Sequence, residues 1–80
     1  MSGASPSPAQ VRAARALLDW SQSDLAQRAQ VSLSTVRDFE AGRRQPMRNN
    51  LDAMQRALEG AGVAFTNGGE PGVKMRRAEG

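Results

Sequence analysis

Two short segments with helical spacing, within residues 22–39, constrain the fold of this chain more than any other feature. The apolar residues of each segment are three or four positions apart, the spacing of one helix face; they are Leu25, Ala26 and Ala29 in the first segment and Val36 and Phe39 in the second. The few residues between the segments continue neither pattern. The spacing therefore predicts two short helices joined by a tight turn.

Serines mark the start of both predicted helices. Ser21 and Ser32 stand immediately before the two segments, where a serine hydroxyl accepts a hydrogen bond from a free amide of the first helical turn. Asp24 follows Ser21 by three positions, which is the spacing of a capping box. Two short helices joined in this way form a helix-turn-helix, the unit that places its second helix in the major groove of DNA.

The stretch around these helices reads WSQSDLAQRAQVSLSTVRDFEAGRRQP. It resembles the lambda-repressor-like, Cro/C1-type helix-turn-helix regulators of the XRE family. The residues that carry the resemblance are Gln22, Ala26, Val31, Ser32, Val36, Phe39, Glu40, Gly42 and Pro46. The resemblance extends roughly over residues 8–62 and more weakly to Arg77. The chain departs from the family at Gln30, where the family often has glycine because the residue there tends to adopt a left-handed conformation. That conformation costs a non-glycine residue roughly 1 kcal/mol, and the departure concerns the geometry of the turn.

The first helix is expected to begin at Ser7 and Pro8, because a capping serine and a proline at the first position favour a helix start. Its predicted apolar face comprises Val11, Ala14, Leu17 and Leu18, and the single tryptophan, Trp20, is expected in the core. The resemblance implies one further contact. It places Arg15 against Glu40 as a partly buried structural ion pair.

The second helix of the motif carries the predicted base contacts. If Val36 and Phe39 point to the core, rotation by about 100° per residue directs the opposite face outward. The residues expected at base edges are Leu33, Ser34, Arg37 and Asp38. Leu33 suits a thymine methyl, Arg37 a guanine, and Asp38 either cytosine N4 or a neighbouring arginine that it holds in place.

A second group of residues is expected to contact the DNA backbone. Three arginines and no acid occur between Ala41 and Leu51, and such a basic patch suits a polyanion, although it is also compatible with an ordinary solvated surface. The predicted backbone contacts are Gln22, Ser32, Thr35, Arg43, Arg44 and Arg48. Double-stranded DNA is therefore the expected partner.

Beyond the motif, the spacing predicts a fourth helix from about Arg48 to Gly60, and after Gly62 it changes to strict alternation. A β-hairpin is expected, with one apolar face made by Val63, Phe65, Val73 and Met75. A lone hairpin is marginal in water, so it either docks on the helices or pairs its free edge with a second copy, which would give a sheet of about four strands. We expect the helices to close a core alone and the hairpin to form the dimer interface.

The expected fold is mainly α, with four to five helices of a lambda-repressor-like domain and a C-terminal β-hairpin used for dimerisation. Four regions are predicted: a disordered arm at 1–6, the helix-turn-helix domain at 7–62, the hairpin at 63–77 and a disordered tail at 78–80. No apolar run is long enough for a membrane helix and no signal peptide is present, so a cytoplasmic, nucleoid-associated protein is expected.

The composition argues against catalysis. Histidine, cysteine and tyrosine are absent, which removes most nucleophiles and near-neutral acid–base groups. We therefore expect no catalytic residue, no metal site, no cofactor and no small-molecule substrate. The function expected is a sequence-specific transcriptional regulator, a small dimeric repressor of a palindromic operator. The alternative is an antitoxin-like or antiactivator-like protein that uses the same scaffold to bind a protein partner.

Overall fold

Four helices followed by a β-hairpin make up the part of the chain that the computed structural model describes, residues 5–66 and 69–76. The elements are α1 (Pro8–Leu18), α2 (Gln22–Ala29), α3 (Leu33–Glu40), α4 (Arg48–Gly60), β1 (Val63–Thr66) and β2 (Gly72–Met75). The predicted mainly α fold with a C-terminal hairpin is confirmed. None of the helices in these ranges is long and apolar enough to cross a membrane.

Serine side chains cap the first three helices. The hydroxyls of Ser7, Ser21 and Ser32 accept hydrogen bonds from the third amide of α1, α2 and α3 respectively, at 2.9–3.1 Å. At Ser7 and Ser21 a side chain also bonds back to the cap amide, which completes a capping box. The predicted helix starts are thereby confirmed. Helix α4 differs, because its N-cap residue Met47 offers no side-chain acceptor.

The turn inside the motif adopts the backbone conformation that is usual in the resembled family, although Gln30 replaces the glycine often found there. Gln30 has φ 60°, in the left-handed region, and its neighbour Val31 donates its amide to the Ala26 carbonyl at 3.0 Å. After α3, Gly42 has φ 72°, where a side chain would meet no neighbouring atom but the backbone conformation itself favours glycine. Asp19 is also left-handed, with φ 59°, and no pattern in the sequence predicted this.

The core lies where all four helices and the hairpin meet. Its buried apolar residues are Val11, Ala14, Leu25, Ala26, Ala29, Val36, Phe39, Leu51, Met54, Leu58 and Val63. Leu18 and Trp20 pack against this core but are only partly buried. The prediction for Leu17 is wrong, since its side chain is 45% exposed. Leu17 lies about 100° from Leu18 around the helix, which takes it off the buried face.

The hairpin docks on the helices of its own chain. The two strands pair antiparallel, with Val63 opposite Met75 and Phe65 opposite Val73. Val63 is completely buried, so the expectation that the helices close the core without the hairpin is wrong. Gln10 reinforces the docking, because its side-chain amide donates to the carbonyls of Thr66 and Gly72 at 3.0 Å each.

The ends of the domain differ in part from the predicted boundaries. Pro6 is buried, so the folded domain begins before Ser7 and the predicted arm is shorter than residues 1–6. Residues 1–4, 67, 68 and 77–80 lie outside the described part of the chain. The predictions made for the first four residues, for Arg77 and for the tail at 78–80 fall there.

Candidate nucleic-acid interface

Helix α3 presents a polar face to solvent while its apolar face is seated on the rest of the domain. Val36 and Phe39 are buried, and the helix packs on α1 and α2. Ser34 and Arg37 are exposed on the opposite side, with Leu33 and Asp38 partly exposed beside them. The predicted outward face is thus present. That these four side chains contact bases remains a prediction.

Asp38 is paired with an arginine of the loop after α3. Its carboxylate oxygen lies 3.5 Å from Arg43 Nη1, and the main-chain carbonyl of Asp38 accepts the Arg43 amide at 2.9 Å. The Arg43 side chain is 71% exposed, so this ion pair adds little to stability. Its consequence is positional, because it holds the Arg43 guanidinium beside the outward face of α3. That Asp38 positions this arginine for DNA remains a prediction.

A cleft separates α3 from the start of α4. Its lining residues are Ser34, Thr35, Asp38, Arg44, Gln45, Pro46, Met47 and Asn50. The cleft therefore brings Thr35 and Arg44 together with two of the predicted base readers. It does not include Gln22, Arg43 or Arg48. Arg48 instead opens α4 and lines a neighbouring groove with Pro46.

Four residues of this cleft were not predicted as site residues, namely Gln45, Pro46, Met47 and Asn50. Met47 is 70% exposed, although it is a large apolar residue. A signal was available for it, since the residue after Pro46 and before a predicted helix occupies the cap position. For Asn50 no local pattern distinguishes a cleft residue from an ordinary exposed position of a helix.

The last residue of α3 is held by an ion pair with α1. Arg15 donates from Nε to Glu40 Oε2 and from Nη2 to Glu40 Oε1, both at 2.7 Å, while the Glu40 residue is only 4% exposed. The same arginine donates from Nη1 to the Trp20 carbonyl at 3.0 Å. The hydrogen bond to Glu40 raises the pKa of Arg15 above its ordinary value, against the opposing effect of burial. The predicted structural pair is confirmed.

Two further hydrogen bonds at Glu40 were not predicted. Arg12 Nη1 donates to the main-chain carbonyl of Glu40 at 2.6 Å, at the negative end of the α3 dipole. Gln22 Nε2 donates to Glu40 Oε1 at 3.0 Å. Because an amide nitrogen carries two hydrogens, this bond orients the Gln22 side chain and leaves the second hydrogen for another acceptor. The predicted contact of Gln22 with a phosphate remains a prediction.

The surface around α3 is basic. Arg37, Arg43, Arg44 and Arg48 are all exposed. Between residues 33 and 51 the only acids are Asp38, which pairs with Arg43, and Glu40, which is buried against Arg15. Elsewhere in the described residues, no group of three or more acidic, histidine or cysteine side chains is placed to hold a metal ion. The charge of this surface suits a polyanion.

Two short capped helices at a left-handed turn, the second with an exposed polar face and flanking arginines, define a DNA-binding helix-turn-helix domain. A family model described as Helix-turn-helix matches residues 11–60. The match covers more than half of the chain, and the chain belongs to this Cro/C1-type, XRE helix-turn-helix family of DNA-binding regulators. The family is typically non-enzymatic. A comparison with curated proteins found no match.

Proposed function

We propose that this protein is a sequence-specific transcriptional regulator that acts as a small homodimeric repressor of a palindromic operator in the cytoplasm, at the nucleoid. The observation that carries the proposal is the exposed polar face of α3, flanked by arginines on a helix whose end is fixed by Glu40. The buried residues Val36 and Phe39 seat this helix on the domain, so that its outward side chains are positioned for base readout. No catalytic residue, metal, cofactor or small-molecule substrate is part of the proposal.

The outward side chains of α3 read base edges in the major groove. Leu33 contacts a thymine methyl, and Ser34, the next residue, faces a base edge beside it. Arg37 donates to guanine, which is the commonest specific contact of an arginine with DNA. Asp38 acts mainly through Arg43, since their ion pair at 3.5 Å directs the carboxylate toward that arginine.

The residues around α3 bind phosphates on either side of the groove. Arg43, Arg44 and Arg48 supply the charge, and all three are exposed. Gln22 contributes the amide hydrogen that Glu40 does not use. Ser32 and Thr35 share a hydrogen bond of 2.8 Å at the start of α3, where the helix dipole favours an anion. These contacts orient the domain on DNA without reading its sequence.

The proposal is tested by selecting bound fragments from a pool of random double-stranded DNA. We expect recovery of a palindrome, because two copies related by a two-fold axis read two inverted half-sites about 34 Å apart or a multiple of that distance. Arg37→Ala is the matched variant, and it should recover a motif degenerate at one position per half-site. If the selected pool stays random while the protein remains folded, the proposal is wrong.

A second candidate function is binding to a protein partner, as in an antitoxin or an antiactivator. The observation that favours it is the second strand of the hairpin. This strand ends in the exposed residues Lys74 and Met75, and the helices leave part of it uncovered. An exposed strand edge is a common route to protein association. Stoichiometric co-purification with an unrelated chain, together with no salt-sensitive DNA binding, would favour this candidate over the first.

A further inference from the structure

The outer edge of β2 has free backbone groups. Arg76 donates its amide to the Gly62 carbonyl at 2.6 Å, so these two residues form a hydrogen-bonded pair of the hairpin. Pairs alternate along an antiparallel ladder, and the amides and carbonyls of Val73 and Met75 therefore point away from β1. Within residues 5–66 and 69–76, neither residue makes a main-chain hydrogen bond to another element.

The sequence along this edge is complementary to itself. Residues 70–76, which are β2 with the two residues before it and the one after it, read EPGVKMR. When two copies of this segment run antiparallel about an axis at Val73, Glu70 of each copy lies opposite the partner's Arg76, and Lys74 lies opposite the partner's Gly72. We propose that the protein dimerises through this edge in this register, so that the two hairpins form one four-stranded antiparallel sheet. The proposal rests on the proposed function, in which a dimer binds a palindromic operator, and it identifies the interface that forms this dimer.

On both faces of the resulting sheet, the side chains that meet across the interface are chemically compatible. Side chains alternate along a strand, so Val73 and Met75 lie on the face that packs on the helices, while Lys74 and Arg76 lie on the other face. On the inner face Val73 meets its own copy and Met75, which is 44% exposed in one chain, meets the partner's Pro71. On the outer face the opposite charges meet. An amphipathic strand of this kind specifies its register.

There is room for the added strand. The groove beside β2 is lined by Ala9, Ala13, Pro71, Gly72 and Val73, among others, and it is open to solvent. The two alanines of α1 have the smallest side chains that a helix commonly presents, so a neighbouring strand can lie close over them. The missing amide of Pro71 is the only donor absent from this edge. Four strands are also enough for independent stability, which two strands lack.

Other arrangements of the same edge are poorer. An axis at Lys74 places two lysines opposite each other, and an axis at Met75 places Lys74 opposite the partner's Arg76; like charges in these positions are destabilising. An axis at Gly72 pairs Glu70 with the partner's Lys74, but Met75 then lies opposite Gly69, which has no side chain to pack against it. The edge of β1 carries no charged residue, so it offers nothing that selects a register.

The position of the hairpin leaves the DNA-binding helix free. The strands pack on α1 and α4, whereas α3 packs on α1 and α2. On α1 the hairpin lies at Gln10, which bonds to Thr66 and Gly72, while α3 lies at the side of Arg12 and Arg15. A dimer formed at β2 therefore does not cover the outward face of α3. Each copy retains a complete reading surface.

Sedimentation of the full chain without DNA tests the interface, using charge exchange. We expect a concentration-dependent dimer for the unchanged protein. Glu70→Arg places two arginines opposite each other at each end, Arg76→Glu places two glutamates there, and each should weaken dimerisation about tenfold or more. Mixed in equal amounts, the two variants should restore the dimer, because each then meets the opposite charge. Arg56→Glu, on the exposed side of α4, is the matched control and should sediment like the unchanged protein.

Several results would overturn the proposal. They are a monomer at every concentration of the unchanged protein, an unaltered dimer in either single variant, no recovery on mixing, and equal weakening by Arg56→Glu. Recovery of Glu70→Arg by Lys74→Glu instead of Arg76→Glu would show the register with its axis at Gly72 and would equally overturn it. Because DNA is absent, these outcomes are independent of the fragment selection, so a failed interface and a failed DNA-binding function are distinguished.

Discussion

Arg15 holds the carboxylate of Glu40 with two parallel hydrogen bonds of 2.7 Å, although 25 positions separate the two residues in the chain. Glu40 is the last residue of the DNA-binding helix, and Arg15 belongs to the first helix of the domain. The pair therefore joins α3 to α1 at one end. Arg12 and Gln22 add bonds to the same glutamate, so its surroundings fix α3 relative to both preceding helices.

Removal of either partner of this pair should destabilise the fold without changing base preference. Breaking a buried ion pair costs about 3–5 kcal/mol, and the partial exposure of Arg15 should bring the loss in Arg15→Ala or Glu40→Ala below that range. Urea unfolding measures the free energy of unfolding. If the double variant loses as much free energy of unfolding as the two single variants together, the residues are not coupled.

The stability that comes from Arg15 should persist at alkaline pH. Since the pKa of Arg15 is raised on folding, its contribution is fully present below the unfolded value and is lost only as the pH rises through the folded one. In Arg15→Lys the corresponding loss begins once the pH passes the unfolded pKa of lysine, about 10.4. Urea unfolding of both proteins from neutral pH upward checks this. Parallel stability curves in that range would contradict it.

Arg37→Ala should lower affinity for the selected operator by about 1–3 kcal/mol and relax the preference at one base position per half-site. The reason is its exposed position on the outward face of α3. Fluorescence anisotropy on specific and random DNA measures both affinities, with Arg56→Ala as the control. An equal loss on the two DNAs would place Arg37 on phosphate.

Alanine at Arg43, Arg44 or Arg48 should weaken binding to every sequence alike. Removing an arginine that neutralises one phosphate should reduce the slope of log affinity against log salt by roughly one unit, because fewer counterions are released. The measurement is a salt titration on random DNA. Asp38→Asn is an additional variant for Arg43, because it removes the carboxylate charge that pairs with this arginine. An unchanged slope in any one variant would mean that the substituted arginine does not lie at the DNA.

Val63→Ala should destabilise the whole domain by roughly 1–3 kcal/mol, because Val63 is completely buried in the core. Truncation after Gly62 removes Val63, Phe65 and Val73 together and should therefore destabilise the helices more than Val63→Ala does. Leu17→Ala, at an apolar side chain that is 45% exposed and lies outside the core, is the control and should cost less. Thermal unfolding followed by helical circular dichroism compares them. A loss for Leu17→Ala as large as for Val63→Ala would mean that burial in the core does not account for the effect of Val63.

The elements whose signals are local were predictable. The caps at Ser7, Ser21 and Ser32 depend on residues within one helical turn, so their geometry follows from short-range hydrogen bonding. The outward face of α3 follows from helical spacing in the same way. The left-handed conformation of Gln30 was implied only by the resemblance. The ion pair of Arg15 and Glu40 was predictable only through resemblance, since spacing shows that Glu40 is buried but does not show its partner.

What the sequence alone determined is therefore the set of helices and strands, their starts and their faces. Tertiary structure decided which faces meet: Val63 enters the helical core, Gln10 bonds to the hairpin, and Gln22 turns toward Glu40. These contacts join residues that are far apart in the chain. Periodicity specifies that a side chain lies on a given face, but what packs against that face depends on how the elements fill space together, which no local pattern records.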